Sequence, residues 1–159
     1  SRKGVYEAIL IAKQAKEKLI IIGTKDNKKY WETKIKPYLG KNIKYLGVVP
    51  YEKTCQYYKE AKVSLMPIQW EEPFGLTFIE SMACGTPVIV FDRGSAREVV
   101  KDGKTGFVVK NIGEAIAAVK KIDQIDRKEC RKHVEENFSI KKMVDEYEKV
   151  YYEILKKKR

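Results

Sequence analysis

The chain has 159 residues, 43% hydrophobic and 35% charged, with a formal net charge of +11. That length suits one ordinary domain with a substantial core; no apolar run approaches the ~18 residues of a membrane-spanning helix, and no signal peptide is expected at the start. Basic residues outnumber acidic ones 14 to 6 over residues 1–60 and 16 to 11 over 101–159, but trail them 3 to 5 over 61–100, so the positive charge lies outside the middle of the chain.

In chain order, Val5, Ala8, Ile9, Ala12 and Ala15 predict an amphipathic helix, and Leu19-Ile20-Ile21-Ile22-Gly23 a short buried strand. Lys3-Gly4 at the helix entrance sets a point charge beside free backbone N–H groups, a combination that suits a phosphate. Residues 28–39 are predicted as a helix with Tyr30, Trp31, Ile35 and Tyr38 as its apolar positions, closed by Gly40. Residues 42–47 read as a strand, Val48-Val49-Pro50 as a loop, 51–60 as a helix and 63–67 as a strand.

The stretch from Glu71 to Val90 reads as loop, helix, tight turn and strand. Pro73 and Gly75 mark the loop, which leaves the C-terminal edge of a strand, where open α/β sheets bind ligands. Leu76, Ile79 and Ala83, with Phe78 and Met82, form an apolar helix side; Thr77, Glu80, Ser81 and Cys84 follow helical spacing on the other. Gly85 stops that helix, Pro87 prevents its restart, and Val88-Ile89-Val90-Phe91 is a strand covered on both sides. A helix starting at Gly75 or Leu76 turns its unpaired N–H groups towards the loop. Glu72 and Glu80 would repel a phosphate, but they suit sugar hydroxyls on either side of a diphosphate. The competing reading leaves Glu72 as a partner of the helix dipole and Glu80 solvated.

Beyond it, Asp92 to Val100 is a turn, Asp102 to Gly106 another, and Phe107-Val108-Val109 the last strand. Asn111 is expected to cap a helix through Ile122 with Ala115, Ile116 and Val119 inward, followed by helices over 127–137 and from Ile140 onward. The last carries Met143, Val144, Tyr147, Val150, Tyr151 and Ile154 on one stripe, a packing face. Cys55, Cys84 and Cys130 lack CxxC spacing and are expected as buried or incidental thiols in a reducing compartment. His133 is expected to be structural or solvated, and neither a zinc cluster nor a histidine-centred triad can be assembled. The lysine-rich exterior resembles a thermophile's solvated surface, with an anionic membrane surface as the alternative partner; without an RNA or DNA motif, nucleic acid is not expected.

Glu72 and Glu80, with seven residues between them including Pro73-Phe74-Gly75-Leu76 and followed by Ser81-Met82-Ala83-Cys84-Gly85-Thr86-Pro87-Val88, closely resemble the signature of the glycosyl transferases group 1 family, retaining enzymes of GT-B fold. Lys3-Gly4 resembles a second family element, and Gly47-Val48-Val49 a third, the loop whose main chain holds the nucleotide base. Gly94 and Glu98 match the family's later turn, where Arg93 and Ala96 depart from it. The resemblance implies an α/β fold, a Rossmann-like doubly wound parallel sheet forming the C-terminal half of a GT-B glycosyltransferase. Residues 1–159 would be a single donor-binding domain, a fragment lacking the N-terminal acceptor domain and the first strand with its arginine.

The implied reaction moves a hexosyl unit from a nucleoside diphosphate sugar to an acceptor hydroxyl with retention. Glu72 and Lys3 would be catalytic, Glu72 on donor sugar hydroxyls and Lys3 on the departing diphosphate. Phe74, Gly75, Leu76 and Thr77 would offer backbone N–H groups, Glu80 would bind the ribose, and Gly47, Val48 and Val49 the base. Neither metal nor cofactor is expected, since the helix start and cations neutralise the leaving group. Expected partners are the donor, the missing N-terminal domain and a lipid-linked acceptor. The expected location is the cytoplasm, or peripheral at the inner membrane face. By itself the fragment is expected to be inactive. The alternatives are a nucleotide-sugar-binding module without turnover and a GT-B sugar-nucleotide 2-epimerase.

Overall fold

The computed structural model describes residues 2–157; Ser1, Lys158 and Arg159 lie outside the described residues. Helix α1 (Val5–Ala15) leads to β1 (Leu19–Ile22), then α2 (Lys28–Tyr30) runs into a π-turn (Trp31–Ile35) and a 3-10 turn (Lys36–Tyr38) before β2 (Ile43–Gly47). Strands and helices then alternate: α3 (Tyr51–Glu60), β3 (Ser64–Met66), α4 (Leu76–Ala83), β4 (Val88–Phe91), α5 (Ala96–Val99) and β5 (Gly106–Val109). Helices α6 (Ile112–Lys121), α7 (Arg127–Asn137) and α8 (Ile140–Lys157) follow, with a 3-10 turn (Ile122–Gln124) after α6. All strand pairs are parallel, as strands joined by helical crossovers must be. They form two ladders, β1-β2 and β3-β4-β5.

Each ladder has its own core. Val88 to Phe91 are all buried, as a strand covered on both faces requires, and they centre the larger cluster with Phe78, Met82, Val99 and Val119. Ile9, Ile21, Ile35 and Ile43 form the smaller one. Helix α1 serves both, sending Ile11 into the first and Ile9 into the second. Its start is pressed against the end of β3: a Cβ on Gly4 would stand 1.8 Å from the Pro67 carbonyl oxygen, and the Arg2 carbonyl accepts from Gln69 N–H at 2.7 Å.

Several expectations need correction. Residues 28–39 are not one α-helix. Pro37 has no N–H to return to Thr33, and the chain widens to a π-turn before tightening, with only Ile35 fully buried. The strand β1 is not buried along its length: Ile20 is 52% and Ile22 37% exposed, on the face of the strand opposite buried Ile21. Helix α4 is rotated from its expected setting. Leu76 is 64% exposed, whereas Ser81, placed on the polar side, is fully buried beside Phe78 and Met82. Burial of Ser81 is tolerated because its hydroxyl donates to the Thr86 carbonyl at 2.9 Å and lies 2.7 Å from Ser64 Oγ. In α6, Ala118 is buried with Ala115 and Val119, and Ile116 is only half-buried.

Other expectations hold. Gly85, at φ 76°, ends α4 in a Schellman turn, donating to Met82 while Thr86 donates to Ser81, both at 2.9 Å. The Asn111 side chain caps α6 by accepting from Glu114 N–H at 2.9 Å. By contrast, the stripe on α8, expected as a packing face, is exposed along its length, and no residue of that helix is buried, because no described element packs on it. Among the described residues, no helix is long and apolar enough to cross a membrane.

Candidate active site

The loop after β3 carries the first carboxylate. Glu72 is nearly buried, and its Oε2 accepts from Lys3 Nζ at 2.6 Å and from Trp70 Nε1 at 3.1 Å. The ammonium also lies 5.1 Å from the Trp70 ring centroid, so cation, indole and carboxylate form one cluster. Both contacts fall on Oε2; Oε1 carries no hydrogen bond among the described residues. The sequence-predicted pair Lys3 and Glu72, 69 positions apart, is thus brought into direct contact.

The turn before α5 holds Glu72 from behind. Glu72 carbonyl accepts from Ser95 N–H at 2.9 Å, and Glu71 Oε2 accepts from Gly94 N–H at 2.6 Å. A Cβ on Gly94, whose φ is 55°, would stand 2.2 Å from Glu72's carbonyl oxygen. Only glycine lets the two backbones approach this closely.

Helix α4 starts at the same loop. Gly75, at φ 80°, occupies its N-cap position, and a side chain there would strike the Phe78 ring at 2.4 Å. No side chain caps the helix, so the N–H groups of Leu76 and Thr77 remain directed into the loop. Phe74 is half-exposed and meets Phe138 edge-on at 6.2 Å; Phe138 in turn packs on His133. His133 is structural, its Nε2–H donating to the Val99 carbonyl at 3.0 Å, since a carbonyl only accepts.

Glu80 lies apart from the Lys3–Glu72 cluster, on the side of α4 facing α3. Partial burial raises its carboxyl above the ordinary glutamate value. The neighbouring Tyr58 hydroxyl is pushed up to about 12, by burial first and by the Glu80 charge second. The remaining predicted residues, Gly47, Val48 and Val49, leave β2 at the same C-terminal side of the strands. Gly47 has φ 77° and accepts from Gly23 N–H at 2.9 Å, and Val48 is 70% exposed. Among the described residues, no hydrogen bond joins that loop to Glu72 or Glu80.

Sequence reasoning assigned no role to Trp70, Glu71 or Ser95. An indole two residues before Glu72 was the only local signal, and the grip of the 94–95 turn spans more than twenty positions. Thr86 and Arg127 were also missed. Arg127 donates to the carbonyls of Ala61 at 2.8 Å and Lys59 at 2.9 Å and to Thr86 Oγ1 at 2.7 Å, tying the end of α3 to the turn after α4. Cys55 on α3 and Cys84 at the end of α4, expected as buried or incidental thiols, are half-buried with their sulfurs 2.7 Å apart.

Parallel strands joined by helices, glycine-lined turns at their C-terminal edge and an uncapped helix start make a Rossmann-like α/β arrangement of the kind found in GT-B glycosyltransferases. Sucrose-phosphate synthase from Thermosynechococcus elongatus shares it, with a TM-score of 0.81 and 25% identity over 97% of this chain and 43% of that one. The chain belongs to the family Glycosyl transferases group 1, which it matches over residues 1–141. It is 33% identical over 95 residues to N-acetyl-alpha-D-glucosaminyl L-malate synthase of Bacillus anthracis, covering 54% of this chain and 25% of that protein. It is 36% identical over 72 residues to D-inositol 3-phosphate glycosyltransferase of Nocardia farcinica, covering 45% of this chain and 16% of that one. The chain therefore spans only a minor part of the length of the curated relatives it matches.

Proposed function

We propose that this chain is the donor-binding half of a retaining glycosyltransferase that uses a nucleoside diphosphate sugar. The observation that carries the reading is the Lys3–Glu72 contact of 2.6 Å beside the uncapped start of α4. A diphosphate resting against the N–H groups from Phe74 to Thr77 would meet the positive end of the helix, with Lys3 taking up charge as the leaving group departs. Glu72, held through Oε2, would offer Oε1 to the donor sugar's hydroxyls. Glu80 would accept from the ribose, and the main chain of Gly47, Val48 and Val49 would hold the base. Helix dipole and lysine supply the neutralisation that a metal provides in other transferases, so the reaction is read as metal-independent. The acceptor and the rest of the cleft belong to the remainder of the full-length protein, and turnover is expected there and not in this stretch by itself.

The same reading accounts for the division of the sheet. β1 and β3 each have one unpaired edge, and the backbone at Arg2 runs beside the end of β3. A further parallel strand between them would join the two ladders.

Calorimetric titration of UDP, GDP and ADP and their hexose conjugates tests the assignment, comparing this chain with Glu80→Ala. One nucleotide is expected to bind, and the variant to lose roughly ten- to a hundredfold in affinity as a charge-assisted hydrogen bond disappears. Equal affinity in both proteins would remove Glu80 from the ribose site.

A further inference from the structure

We propose that Cys55 and Cys84 close to an intramolecular disulfide, a modification site that joins α3 covalently to the end of α4. The two sulfurs are already 2.7 Å apart, and a movement of less than about 1 Å brings them to the bonding distance of about 2.05 Å. Both residues are half-buried, within reach of a small oxidant, whereas Cys130 is fully buried and its thiol faces the Thr105 carbonyl at 3.6 Å with no second sulfur near it.

The framework around the pair favours closure. Helix α3 buries no residue, so little core packing fixes it. Its C-terminal carbonyls are held instead by Arg127, which also grips Thr86 two residues past Cys84, and Thr86 Oγ1 donates to the Tyr58 carbonyl. The two segments that carry the cysteines are thereby kept in register before any bond forms.

The oxidant is a low-molecular-weight disulfide such as oxidised glutathione. One cysteine, as its thiolate, attacks a sulfur of that disulfide, forming a mixed disulfide and releasing one glutathione thiolate. The other cysteine, as its thiolate, attacks the protein sulfur of the mixed disulfide and expels the second. The protons from the two protein thiols go to the two glutathione thiolates, and the electron pair ends on the reduced glutathione. The bond links the helix bearing Glu80 to the helix entered from the Gly47–Val49 loop, but its formation does not depend on what those residues bind.

The test is to equilibrate the chain with oxidised glutathione, alkylate remaining thiols after denaturation, digest with trypsin and weigh the peptides. Residues 54–59 are expected to be joined to residues 63–93, with Cys130 alkylated. The bond should survive a ratio of reduced to oxidised glutathione at least about tenfold higher than the mixed disulfide formed on Cys84 in Cys55→Ser. Glutathione on each cysteine separately, free thiols throughout, or links only between molecules would overturn the proposal. Nucleotide titration of both redox forms is a separate readout: a linked chain that binds none in either form defeats the donor reading and leaves this one intact.

Discussion

Glu72 has its position fixed by side chains on one oxygen and by backbone behind it, so its charge and its placement can be tested apart. In the full-length protein, Glu72→Gln should lower turnover by roughly 10²–10³, comparable to removing one preorganised charge contact, while nucleotide affinity changes little; equal loss in both would make it a binding residue only. Placement is probed at Gly94. Gly94→Ala drives a methyl group into the Glu72 backbone and should cost more than about 2 kcal/mol in urea unfolding, whereas Gly103→Ala, where nothing lies within 4 Å, should cost only about 1 kcal/mol for its left-handed φ. Glu80 has the opposite balance. Its carboxyl is raised by burial, so its proton is bound more tightly folded than unfolded, and its contribution to stability is present below the ordinary glutamate pKa and lost as pH rises through the folded value. Glu80→Gln should therefore raise the melting temperature at neutral pH relative to the parent, with the gain vanishing in acid, while weakening nucleotide binding. Glu72 and Glu80 were legible as candidates because their spacing and the glycines around them form a continuous signature, and Lys3 because it stands with Gly4 at a helix entrance. Trp70 was not, because an indole before a loop reads equally well as core, and only the folded chain aims its N–H at Glu72.

At the scale of elements, α3 is the least anchored helix beside the candidate site. Arg127→Ala removes three hydrogen bonds made by a charged group and should destabilise the chain by about 2–3 kcal/mol, with the amides of α3 losing protection from hydrogen exchange before those of β4. Unchanged α3 exchange would mean that something other than this arginine holds the helix. Local pattern located α4, α6 and β4 well, since an apolar repeat, an asparagine cap and a terminating glycine all agree there. It failed over residues 28–39, where the apolar spacing is helical but Pro37 interrupts the hydrogen-bond ladder. It also misplaced the buried side of α4, because Ser81 is as well accommodated inside as a hydrophobe once Ser64 and Thr86 satisfy it.

For the whole molecule, the alternation of strands and helices sufficed to give a parallel α/β fold, and no local pattern reports that the pairing falls into two ladders. The small β1-β2 half rests on four buried isoleucines, one of them on α1. Ile9→Ala should cost about 2–4 kcal/mol and loosen β1 and β2 selectively, seen as faster amide exchange there than in β4; uniform loosening would show that the two cores melt as one. The open edges of β1 and β3 have another consequence. Each presents a row of backbone donors and acceptors ready to pair with any extended chain. A synthetic strand-forming peptide supplied in trans is therefore expected to bind along such an edge, seen as amide exchange slowed more in β1 or β3 than in β4.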